Sequence, residues 1–135
     1  MSSYPKSKRK HAKGVSDSTL HRLWRKKVKS KYNGCVICGQ QNLDECECHH
    51  IVHRVVKITR WDHRNGVPVC APLTGRECHK KADMLEGRDK IRKLLGPDYS
   101  AIKQLEIQYA RHRDYLIEHS LSENEWRKQI KESLK

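Results

Sequence analysis

Cys46-Glu47-Cys48-His49-His50-Ile51 is the stretch on which the reading of this chain turns. The span Leu43 to His53 reads as a strand, with Cys46, Cys48 and His50 on one face and the intervening residues on the other. Two adjacent imidazoles on opposite faces can do different jobs, one on a metal ion and one on a water molecule. Upstream stands Cys35-Val36-Ile37-Cys38, and downstream come Asn65, Cys70, and Cys78 beside His79. Cysteines so distributed can tie a metal knot around a short segment.

The turn Cys35-Val36-Ile37-Cys38-Gly39 spaces two sulfurs for one tetrahedral Zn2+, and Cys70 and Cys78 are expected to complete the set. Seven residues separate Cys70 from Cys78, and Pro72 and Gly75 let that insert loop out. Cys46 and Cys48 compete as ligands, or else are ordinary buried thiols. Six cysteines can instead form three disulfides. Met1 to Gly14 carries no apolar signal-peptide core, so a cytoplasmic chain with thiolates on zinc is the expectation. A redox role for Cys35 and Cys38 would call for a thioredoxin-like βαβ context, which is not seen.

The 135 residues suit one domain with a modest core. There is no Phe, and 36% of residues are hydrophobic, so a metal staple is physically reasonable. The net charge of +13 is uneven: residues 1–33 hold 11 Lys/Arg against one acid, Asp17. That distribution fits a polyanionic partner, DNA first of all. No apolar run approaches membrane-spanning length. Residues 1–15 read as a flexible basic arm, 16–95 as the core with its preceding helix, and 96–135 as a helical extension. A helix capped by Ser16 or Ser18 carries Leu20, Leu23, Trp24, Val28 and Tyr32 in one apolar stripe, with Arg25 and other cations on its remaining faces. Gly66 to Cys70 reads as a second strand, followed by a helix from Glu77 or Cys78. Asp89 to Leu95, Tyr99 to His119, and a last helix opened by the box Ser122-Glu123-Asn124-Glu125 complete the chain.

The stretch Cys35 to Asp83 resembles an HNH endonuclease of the ββα-metal type with a zinc knuckle, common in phages. Fourteen residues lie between His50 and Asn65, which is the family's usual first gap, and Thr59 to Cys70 resembles the segment around the family's Asn. The resemblance implies an α+β fold: a small ββα-metal core flanked by N- and C-terminal helices. It implies His50 as general base, His49 as first ligand of a catalytic ion such as Mg2+ or Mn2+, Asn65 as the residue orienting the base, and His79 as last ligand. Asp83 matches a further ligand of the colicin-type sites, and i, i+4 spacing lets it share a helix face with His79. The family's second cysteine pair is usually CxxC, and here the chain departs from it.

The same residues have plainer readings. His49 can serve the zinc knot, Asn65 before Gly66 is a turn residue in many proteins, and Asp83 can be a surface acid. Trp61 either packs beneath its loop or stacks on a base, and the resemblance favours packing. Arg54, Arg60, Arg64, Lys80 and Lys81 form a set suited to clamping a phosphate backbone, and His63 reads as a solvated loop histidine. The leading expectation is a metal-dependent DNA endonuclease for phage or mobile-element DNA. The alternative is a non-catalytic zinc-binding nucleic-acid adaptor. Trp126, Ile130 and Leu134 form a stripe that either packs on the body or builds a homodimer, and a phage protein is a further candidate partner.

Overall fold

A computed structural model describes residues 14–135. Almost all of the basic arm expected over residues 1–15 lies outside them. The first helix, α1, spans Asp17–Ser30, and its cap is Ser16, whose Oγ accepts from the Thr19 amide at 3.2 Å. Asp17 in the first turn and Lys27 and Lys29 in the last complement the helix dipole. Leu20, Trp24 and Val28 are buried, as the stripe required.

After the knuckle turn the chain enters a two-stranded antiparallel sheet, with β1 at Cys46–His49 and β2 at Val67–Cys70. Cys46 pairs with Cys70 and His49 with Val67. β1 is much shorter than the span from residue 43 to 53 expected from sequence. Leu43–Glu45 form instead a 3-10 turn capped by Asn42, and the ladder stops at the His49–Val67 pair, because β2 begins only at Val67. Both strands are edges, so Pro68 costs no ladder bond inside a sheet, and its carbonyl accepts from Val36 N at 3.0 Å.

The excursion 50–66 between the strands holds one 3-10 turn, Lys57–Thr59. Helix α2, Cys78–Ala82, follows with Asp83 as its C-cap, so the order is strand, strand, helix. Helix α3 runs from Leu85 to Leu95, starting a turn earlier than expected. The long helix expected over 99–119 is two helices, α4 Pro97–Gln108 and α5 His112–Glu118. The break lets Tyr109 tuck inward: it is buried, meets the Tyr115 ring edge-on at 5.0 Å, and donates its hydroxyl to Glu118. Helix α6, Glu123–Ser133, carries the expected capping box.

Two apolar cores result. One joins Cys35, Val67, Val69, Cys70 and Cys78 to Ala82, Ile91 and Leu95, so it fastens the sheet to α2 and α3. The other joins Leu20, Trp24 and Val28 to Trp61, Trp126 and Leu134. The stripe on α6 therefore packs on the body, and Trp61 packs beneath its loop at 1% exposure. Gly66 sits where α1 crosses the end of the sheet, and a Cβ there would lie 2.6 Å from Trp24 Cζ2. Among the described residues, no helix is long and apolar enough to cross a membrane.

Candidate metal centres and histidine cleft

Cys35, Cys38, Cys70 and Cys78 bring their sulfurs within 4.8 Å of one another, an arrangement that can hold a metal ion such as zinc. Cys38 and Cys70 Sγ are 3.5 Å apart, and tetrahedral bonds of about 2.3 Å require roughly 3.8 Å between sulfurs. The donor set also fits chemically. Burial pushes the Cys35 thiol up, but the Ile37 and Cys38 amides on its sulfur, at 3.3 and 3.4 Å, bring it down to about 7. Gln40 Nε2 and Arg76 Nη1 lie 3.3 and 3.6 Å from Cys70 Sγ, donors suited to a thiolate. Cys46 and Cys48 lie outside this group. Burial raises both to about 11, and the half-buried Cys48 thiol donates to Arg25 O at 3.7 Å.

A second group forms where β1 meets α2. His49, His79 and Asp83 each offer a ligand atom within 4.8 Å of the others. His49 Nε2 is 3.6 Å from Asp83 Oδ1, and its ring stands edge-on to that of His79 at 5.0 Å. His49 is buried, and that burial holds its imidazole below the ordinary range, against the pull of Asp83. A neutral imidazole is the ligating form. Glu47 Oε1 lies 3.3 Å from His79 Nε2. The one sequence signal for Glu47 is strand alternation, which puts it on the His49 face.

His50 points the other way, onto α1. Its ring lies face to face with Trp24 at 4.1 Å and 9° between planes. The indole is fixed in turn by its own donation to Asp62 O at 2.9 Å. His50 Nε2 is 2.9 Å from Arg60 O. A carbonyl only accepts, so Nε2 carries the proton and Nδ1 keeps its lone pair. Burial lowers His50 to about 4, opposed by the Arg60 carbonyl, so the ring is neutral at pH 7.

Asn65 is fully buried and stitches the excursion together. Its Oδ1 accepts from Val52 N at 2.7 Å, and its Nδ2 donates to Val52 O at 3.1 Å and Thr59 O at 2.9 Å. Thr59 precedes the residue whose carbonyl meets His50, so the Asn65 bonds hold the loop that the imidazole leans on.

His49, His50, His79 and Asp83 line one cleft of about 740 Å³. Of the five cations expected to clamp phosphate, Arg54 lines this cleft and Arg60 lines a recess beside it. Lys80 and Lys81 do not line the cleft, and Arg64 is committed to Asp62, with Nη2 to Oδ2 at 2.8 Å. His63 lies 3.1 Å from Lys31 Nζ, also away from the cleft walls. The cations that replace them are Arg25 on α1, Arg88 on α3 and Lys103 on α4. Arg25 belonged to the basic face noted in sequence. Arg88 and Lys103 carry no local signal, because only the packing of α3 and α4 brings them there. A scan against protein-family models and searches of curated proteins and solved structures found no match to this chain.

Proposed function

We propose that this chain is a metal-dependent DNA endonuclease of the HNH type, hydrolysing phosphodiester bonds with His50 as general base. One observation carries the reading: the neutral His50 imidazole, whose Nδ1 keeps its lone pair, lines the same cleft as the trio His49, His79 and Asp83. The trio would hold a divalent ion such as Mg2+ or Mn2+, which supplies charge stabilisation to the scissile phosphate and the leaving 3′-oxygen. The cysteine group would hold zinc as a structural staple.

His50 takes the proton of a water molecule at Nδ1 as the water oxygen bonds to phosphorus. The phosphorus–oxygen bond to the 3′-oxygen breaks, and the proton passes on to solvent or to that oxygen. Trp24 and Arg60 O fix the plane and tautomer of the base, so it does not reorganise during the step. Arg25, Arg54, Arg88 and Lys103 attract and seat the strand.

His50→Ala is expected to lower plasmid nicking in Mg2+ or Mn2+ by at least about 100-fold, with DNA affinity and folding little changed. A wild-type protein that cuts with no divalent ion tried would leave the adaptor reading, zinc-stapled and DNA-binding, in its place.

A further inference from the structure

His21, His50 and Arg54 line both the large cleft and a smaller recess of about 320 Å³, whose other walls are Asp17, Ser18, Arg60 and Trp61. These three side chains are walls common to both cavities. His21 lies on the α1 ridge that runs from Asp17 to Arg25 at i, i+4 spacing. Its ring is 6.3 Å from that of His50 and 5.5 Å from Trp24, near parallel to both.

We propose that His21, Arg54 and Arg60 form a second phosphate subsite, seating a neighbouring phosphodiester of the strand being cut. The proposal rests on the nuclease reading for its place in the reaction, and on the recess for its chemistry. Arg60 serves both sides, since its carbonyl holds His50 and its guanidinium faces the recess, where Nε donates to Arg54 O at 2.6 Å. Asp17 is the carboxylate among the recess walls. Its Oδ1 is taken by Arg127 Nη1 at 2.6 Å, and its Oδ2 stands 3.9 Å from Arg60, so it offsets only part of the positive charge.

His21 responds to that surplus. Burial first, then Arg25, Arg54 and Arg60, hold its imidazole below the ordinary range. His50, the other titratable ring in the stack, is neutral as well. A phosphate in the recess brings the missing negative charge, so His21 gains a proton and donates it in a hydrogen bond to the phosphate. The subsite would thus grip a strand more firmly once the strand has arrived.

The test follows the His21 ring by NMR in the full-length, zinc-loaded protein, with no other divalent ion added so that nothing is cut. With a short DNA duplex bound, the His21 pKa is expected to rise by about one unit. His21→Gln is expected to weaken duplex binding about five-fold at moderate salt. An unchanged His21 titration with DNA bound would overturn the subsite, as would a folded His21→Gln protein that binds the duplex as tightly as wild type. Should His21→Gln fail to fold, the wild-type titration decides. A His21 ring that responds to DNA in a protein that never cuts would keep the subsite and discard the nuclease.

Discussion

Asn65 shows how much one side chain can hold. Its buried amide makes three hydrogen bonds to backbone groups that lie 13 and 6 residues away. Asn65→Ala strands the Val52 amide and two carbonyls away from water, and is expected to cost on the order of 3 kcal/mol in urea unfolding. On the proposed nuclease reading, cleavage should fall further than stability alone explains, because the Arg60 carbonyl would lose its fixed place against His50. At this scale the sequence was informative where chemistry leaves few options. A CxxC turn points to a cysteine cluster, and the structure gathers Cys35 and Cys38 with Cys70 and Cys78. Glu47 and His21 were not singled out, because glutamate and histidine are ordinary on strands and helices until a neighbour from elsewhere gives them a partner.

Helices and strands tell a different story. Capping chemistry narrowed one helix start to Ser16 or Ser18, of which Ser16 is the cap, and placed another at Ser122, since a side-chain oxygen three residues before an amide is a local signal. The ends of β1 and the break after Gln108 were not legible. β1 stops where its partner stops, and α4 ends because Tyr109 finds Tyr115 and Glu118, both facts of packing. The joint between α2 and α3 gives a prediction at this level. A Cβ on Gly87 would meet Lys81 O at 2.0 Å, a clash with backbone that no rotamer relieves. Gly87→Ala must push α3 away from α2, the helix that carries His79 and ends at Asp83. It is expected to lose about 1–3 kcal/mol of stability, and to weaken Mn2+ binding by calorimetry more than it weakens zinc retention.

Across the whole molecule, two cores hang on different fastenings. The sheet with α2 and α3 packs around Cys35, Cys70 and Cys78 of the candidate zinc group, whereas α1 and α6 meet through tryptophan. Cys35→Ser, or stripping zinc with a strong chelator, is expected to abolish the cooperative thermal transition seen by circular dichroism. A zinc-free Cys35→Ser protein with an unchanged transition would remove the staple from the account. Acid should act on both cores. His21, His49, His50, His63 and His112 are all held below their ordinary range, chiefly by burial. In each case the unfolded chain takes up a proton at a higher pH than the folded one. Stability is therefore whole above about pH 6.5 and declines as pH falls toward the His50 value of about 4. Urea midpoints measured from pH 7.5 down to 4.5 should fall steadily through that window.

The indole beneath His50 comes from residue 24, outside the 35–83 stretch that resembles a nuclease. A fragment trimmed to that stretch, or transplanted into another scaffold, would carry the base without its floor. On the nuclease reading proposed above, such a graft should keep the trio His49, His79 and Asp83 and lose most of its cleavage, so the transferable unit would be the motif together with the helix before it.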